Sequence, residues 1–194
     1  MDAPDERFLN HGAPFSARCA YSLLSSADEP DIHADSIWSS KATVKVKIFG
    51  WLLLRDRLNT RANLHRKTIT PDSSCPRCDH PLEDATHLGI LCPRAVQVWQ
   101  LLGLHPPPDI NHLWDTVTPP GLDINIWPTV ALAIIWKLWD SRNAQVFRSE
   151  THSALDTLRN VISDFTLWVF RFKDPVCREA ALSWRLFLSS HCNL

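Results

Sequence analysis

The chain has 194 residues, 45% of them hydrophobic, and a formal net charge of −1. That length has room for one or two domains with a real core. The near-neutral balance excludes a uniformly basic protein, and five glycines with few period-2 stretches favour helices over sheet.

The charge is nevertheless uneven. Residues 1–40 hold seven acids and two bases, whereas residues 41–70 hold eight bases and Asp56 as their one acid. This predicts a local basic surface made of Lys41, Lys45, Lys47, Arg55, Arg57, Arg61, Arg66 and Lys67. The acidic opening MDAPDERFLN lacks the apolar core of a signal peptide, which leads to the expectation of an intracellular protein, nuclear or cytoplasmic. The longest apolar run, Trp127 to Trp139, contains Pro128 and Lys137 and falls short of the roughly 20 residues that span a bilayer, so no membrane partner is expected.

In chain order, residues 1–14 read as disordered, with Pro4, Gly12 and Pro14 among scattered charges. Ser16 is a plausible N-cap for a short helix carrying Ala20, Leu23 and Leu24, and residues 25–35 read as an acidic loop. From Val44 the pattern Val-Lys-Val-Lys suits a strand, but Phe49, Leu52, Leu53 and Leu58 continue it at helical spacing, so a helix is expected. Thr60 caps a second, Arg61 to Lys67, with its basic side chains outward.

Between Cys75 and Cys92 the chain reads Cys-x2-Cys-x8-His-x4-Cys. Three thiols and an imidazole are the donor set of a closed, structural Zn²⁺ site. Cys75 and Cys78 flank Pro76-Arg77, a tight turn. His87 and Cys92 could not both face one ion from an unbroken α-helix, because five residues rotate the direction by about 140°. Gly89 weakens the helix after His87, and Cys92-Pro93 reads as a cap followed by a first-turn proline, placing the thiol at a helix N-terminus. The competing readings are a Cys-x2-Cys redox pair, which wants a βαβ context not visible here, and His80 as a substitute ligand. Cys19, Cys177 and Cys192 read as reduced thiols without partners.

Pro93 opens a helix to Leu104 with a broad apolar face. Residues 103–121 carry Pro106, Pro107, Pro108, Pro119 and Pro120 and read as a loop or connection, with a turn near His112–Trp114. Further helices are expected from Pro128 to about Phe147, from Thr151 or Ser153 to about Lys173, and from Pro175 through Leu188. Trp99, Trp136, Trp139 and Trp168 fall at core spacing, and Arg142-Asn143 reads as bonding within the C-terminal bundle.

Several separated signatures then resemble the zinc-binding domain that follows the reverse transcriptase in plant non-LTR retroelements, over roughly Phe15 to Leu102. Phe15-Ser16-Ala17-Arg18-Cys19-Ala20-Tyr21 is similar to the family's Phe-Ser-x-Lys-Ser-Ala-Tyr opening, and Lys45-Val46-Lys47-Ile48-Phe49-Gly50-Trp51 to its Lys-Val-Lys-x-Phe-x-Trp. Arg57-Leu58-Asn59-Thr60 resembles its Arg-Leu-x-Thr, and Cys75, Cys78, His87 and Cys92 fall on its ligands. Trp136, Trp139, Arg142, Asn143 and Phe147 are similar to the helix leading to ribonuclease H. Thr43 stands near a family proline, and Gly50 is unusual inside a helix.

The resemblance implies one structural Zn²⁺ and a retroelement origin. A polymerase needs clustered aspartates, and the chain has no Asp-Asp; Asp156, Asp164, Asp174 and Glu179 are dispersed on expected helices, so no enzyme is expected. The expected class is mainly α: residues 1–14 disordered, 15–104 a zinc-stapled helical domain, 105–125 a proline-rich linker, and 126–190 a C-terminal hairpin or bundle. The basic face implies sequence-independent RNA or DNA binding. The alternatives are a zinc-stabilised scaffold for a protein partner, or a non-functional retroelement fragment.

Overall fold

The computed structural model describes residues 34–192, all within one compact unit, His33–Leu194. The expected disordered start, the helix at Ser16 and Cys19 lie outside the described residues. Within them the fold is mainly α, as the glycine-poor sequence predicts, and no strand is present among the described residues.

The axis of the unit is a helix we label α5, Trp127–Arg148. Every residue from Thr129 to Ile135 is buried, so this half has no solvent face and needs neighbours on all sides. Helix α6 (Ala154–Val169) supplies part of that cover, and α7 (Pro175–Ser190) packs on α6 and meets α5 at Trp127, whose ring lies 5.7 Å from that of Trp184. On another side lie α1 (Ala34–Ser39) and α2 (Val44–Leu54), and α4 (Pro93–Leu101) packs against α6. The short helix α3, Arg61–Arg66, precedes the cysteine segment. Although α5 is long, no helix among the described residues is apolar enough over sufficient length to cross a membrane.

Local chemistry sets the helix ends. Thr60 accepts a hydrogen bond from the Asn63 amide at 3.3 Å and starts α3. Of the two expected starts for α6, Ser153 is the cap: its hydroxyl accepts from the Asp156 amide while Asp156 accepts from the Ser153 amide, a reciprocal capping box. Asp174 accepts from the Cys177 amide and opens α7 at Pro175. Helix α2 stops at Leu54, short of the expected Leu58, because Asp56 turns left-handed at φ 49° and the Arg57 amide bonds back to the Leu52 carbonyl. Helix α1 was not expected; its six residues fall where the acidic loop gives way to Trp38.

Gly50 explains how α2 approaches α5. A β-carbon built there would lie 2.5 Å from Leu132 Cδ2, so the absent side chain is what admits Leu132. One residue earlier, Phe49 meets Trp136 edge-on with ring centroids 5.1 Å apart.

Residues 105–125, read above as a linker, contribute buried Ile110, Leu113 and Thr116. A 3-10 turn spans Ile110–Asp115, around the turn expected at His112–Trp114, and the Leu113 carbonyl accepts from Trp127 Nε1 at 3.2 Å. Tryptophan indoles thus bind the proline-rich segment to α5 and α7: Trp184 Nε1 likewise donates to the Asp123 carbonyl at 2.8 Å.

Candidate metal centre

The turn that carries the first two thiols is closed by backbone bonds. The Cys75 amide donates to the His80 carbonyl at 2.8 Å, and the Asp79 amide to the Cys75 carbonyl at 3.0 Å. Asp79 takes a left-handed φ of 58°, which lets the chain double back after Cys78.

The third and fourth groups are aligned by a feature the sequence does not announce. His87–Leu91 forms a π-turn, and the Cys92 amide bonds to the His87 carbonyl at 2.6 Å. That i→i+5 closure replaces the α-helical register in which the two side chains would diverge, and the chain then leaves the helical path at Cys92, whose ψ is 133°. Gly89 sits in the middle, where a β-carbon would lie 3.0 Å from Ile110 Cδ1 and 3.1 Å from Ile135 Cδ1. Its carbonyl accepts from Trp99 Nε1 at 2.8 Å. Cys92 then caps α4, with Pro93 in the first turn, as the Cys-Pro pair predicts.

The donor atoms of Cys75, Cys78, His87 and Cys92 all lie within 4.8 Å of one another. Cys78 Sγ is 3.3 Å from His87 Nε2, and Cys92 Sγ is 4.0 Å from Cys78 Sγ. Zinc–sulfur bonds of about 2.3 Å and zinc–nitrogen bonds of about 2.0–2.1 Å make tetrahedral edges of about 3.8 and 3.5 Å. The two separations therefore fit one tetrahedral ion. Cys75, Cys92 and His87 are buried, and Cys78 is half-buried, so the centre is closed on most sides. His80 is outside the group; its exposed ring stacks on that of His87 at 4.5 Å.

The electrostatics favour a thiolate at Cys92. A hydrogen bond from the Cys75 thiol, and then the Arg77 charge, pull Cys92 down to about 4 against the opposing effect of burial. The same hydrogen bond and burial push Cys75 up. Arg77 Nε and Nη2 are buried without a hydrogen-bond partner, as is His87 Nδ1. A cation at Arg77 offsets the single negative charge left when three thiolates surround a divalent ion.

Glu83 and Asp84 hold the segment between the turn and His87. Asp84 Oδ1 accepts from the His87 amide at 2.7 Å, and Glu83 is fully buried with both carboxylate oxygens on Arg142 of α5.

The expected basic residues are distributed less simply. Arg61 pairs with Asp72 at 3.2 Å, and Arg66 with Asp56 at 3.4 Å. Lys45 lies over the Trp136 ring at 5.0 Å, Arg55 over Trp51 at 6.0 Å, and Lys67 reaches the Asn59 amide oxygen at 3.1 Å. Lys47 donates to the Trp38 carbonyl at 2.6 Å, while Lys41 and Arg57 are exposed. Of the dispersed carboxylates, Asp156 and Asp174 are caps and Asp164 pairs with Lys137 at 2.9 Å, and none of these or Glu179 belongs to a metal-ligating group among the described residues. Among the described residues, Cys75, Cys78, His87 and Cys92 are the one cluster with metal-ligating composition.

Comparison with known proteins agrees with this chemistry. The family described as zinc-binding in reverse transcriptase matches residues 15–99. An Arabidopsis thaliana protein named as a ribonuclease H protein is 25% identical over 149 residues, covering 71% of this chain and 24% of the relative. The chain therefore spans about a quarter of the length of that relative. No solved structure matches. Zinc is the cofactor this family and this donor set share. Over residues 15–99 the chain is thus similar to the zinc-binding domain of reverse transcriptases, and this match and the relative together support a zinc-binding domain of the retroelement type.

Proposed function

We propose that the chain is a non-catalytic module in which Cys75, Cys78, His87 and Cys92 hold one structural zinc ion and a basic helical face assists binding to RNA or DNA. The observation that carries the metal assignment is the convergence of four donors from two separate turns within 4.8 Å. A four-ligand centre has no open position for substrate, so the ion acts as a clasp on the surrounding turns. For the nucleic-acid reading the support is Lys41, Lys45, Arg55 and Arg57, all exposed within or next to α2, together with exposed Trp38 and Trp51. Cations interleaved with indoles suit backbone phosphates and stacked bases without sequence preference. Zinc-loaded protein titrated into labelled single-stranded RNA and DNA should bind both, with affinity falling steeply as salt rises. Absence of binding at low salt would sink the nucleic-acid half of the reading.

A second reading rests on the same face. Trp38, Val44, Ile48 and Trp51 are exposed there, and Val44 keeps 63% of its surface. A protein partner would cover them. Association with such a partner would be nearly insensitive to salt, which separates the two readings in one titration series.

A further inference from the structure

The chain brings two cations from its far end to the basic edge of α2. Lys41 sits in the turn before α2, and Arg171 and Lys173 sit in the loop between α6 and α7. Together with Phe172, Asp174 and Cys177 they line a cavity of about 440 Å³. All three cations are exposed, and among the described residues none has an acidic partner. Lys47, one helical turn into α2, feels the same cluster: burial first, then repulsion from Lys41 and Arg171, lowers its pKa.

The loop that carries Arg171 and Lys173 is held in one shape. The Arg171 and Phe172 amides bond back to the Trp168 and Val169 carbonyls at 2.9 and 3.2 Å. Arg178 donates through Nε and Nη2 to the Phe172 carbonyl at 3.0 and 2.8 Å. Asp174, the one acid on the cavity wall, is engaged with the Cys177 amide as the α7 cap. The charge of Asp123 also reaches Cys177. On the opposite wall the Lys41 amide is fixed to Thr129 Oγ1 at 3.0 Å. The backbone that carries the three cations is thus set in place before any ligand arrives, and the mutual repulsion of the charges is what an anion would relieve.

We propose that Lys41, Arg171 and Lys173 form a pocket for one phosphodiester group of a single-stranded nucleic acid, a contact that anchors the strand where it leaves α2. This rests on the reading that the chain binds nucleic acid, and it locates one end of the strand's path. A pocket with three cations and one engaged carboxylate has the charge and the donors to take the anionic oxygen pair of a phosphodiester.

The test uses the full, zinc-loaded chain and a fluorescein-labelled 20-nucleotide single strand, titrated between 50 and 200 mM salt, roughly the range over which phosphate contacts are resolved. Three proteins are compared: the unchanged chain, Arg171→Gln/Lys173→Gln, and Arg57→Gln/Lys67→Gln as a control away from the pocket. All four side chains are exposed, and zinc content with helical circular dichroism confirms folding. The expected result is about a tenfold loss for the pocket variant with a salt slope shallower by about 0.7, the value of one phosphate on a single strand. Unchanged affinity in the pocket variant, with a loss in the control, overturns the pocket and leaves the wider reading standing. Weaker binding with an unchanged salt slope also overturns it, since no phosphate contact was then removed. Failure of the unchanged chain to bind overturns both.

Discussion

Arg142 and Glu83 meet as a two-pronged ion pair, Nε to Oε1 at 3.0 Å and Nη2 to Oε2 at 2.7 Å, with side chains 1% and 0% exposed. The pair joins α5 to the segment that runs into His87. Glu83 has further duties: Oε2 accepts from the Arg61 amide at 3.0 Å, and its carbonyl accepts from the Ala62 amide at 3.1 Å. Arg142 also stacks on Trp139 at 5.3 Å and donates to Asn143 at 3.1 Å. One buried carboxylate therefore ties the start of α3, the metal segment and the central helix to a single point.

Breaking this pair from one side should be costly. Arg142→Met leaves Glu83 buried without its cation, and removing one partner of a buried pair costs about 3–5 kcal/mol. Glu83→Leu should cost a similar amount, and the double variant should recover a large part of the loss. Urea unfolding of the four proteins at neutral pH gives the cycle. Additive losses would show that the two residues act independently, contrary to the geometry.

Zinc should be present at about one ion per chain in reduced, purified protein, and Cys78→Ser should lower that content sharply. Metal bound at 1,000 times its dissociation constant stabilises the fold by about 4 kcal/mol, so a strong chelator should lower the melting temperature of the unchanged protein. The same chelator should have little effect on Cys78→Ser. Acid should release the ion as protons compete for the thiolates and His87.

The metal segment was legible because ligand chemistry leaves a local signature: Cys75, Cys78, His87 and Cys92 lie within eighteen residues, and Pro93 marks the next helix. The caps at Thr60 and Ser153 were legible for the same reason, since a cap needs only its own next turn. Contacts across the chain leave no such mark. Nothing near Glu83 names Arg142, fifty-nine residues away, and Arg142 alone reads as a bundle residue. The π-turn is equally silent, because the groups that surround it, Ile110 and Ile135 over Gly89 and the Trp99 bond to its carbonyl, lie outside the turn's own sequence. Gly50 reads as a weakness in a helix until Leu132 is seen to occupy its space.

Filling that space should therefore destabilise the fold. Alanine at position 50 gains up to about 1 kcal/mol in helix propensity, which obscures the sign. Gly50→Val carries a larger, β-branched side chain into a site where even the first carbon would lie 2.5 Å from Leu132 Cδ2. Overpacking of this kind costs about 1–3 kcal/mol. The companion Gly50→Val/Leu132→Ala should be less destabilised than the sum of the two single variants. Strict additivity in urea unfolding would mean that Leu132 is not what position 50 accommodates.

The α7 cap gives a prediction in pH. The Cys177 amide, bonded to Asp174, holds its carboxyl below the usual range, and the Ser153 hydroxyl and amide do the same for Asp156 at α6. A carboxylate whose folded pKa is lowered adds stability that is fully present above its unfolded value of about 3.9 and disappears as pH falls through the folded value. Asparagine can make the same cap without the charge. Asp174→Asn should therefore melt at a lower temperature than the unchanged chain at pH 6, and the gap should narrow below about pH 4, where the unfolded chain takes up the proton, and close once pH has passed through the lowered folded value. The comparison is made at matched pH so that loss of zinc affects both proteins alike. A gap that persists unchanged at pH 3 would show that the charge on Asp174 contributes nothing and that the cap works through hydrogen-bond geometry alone.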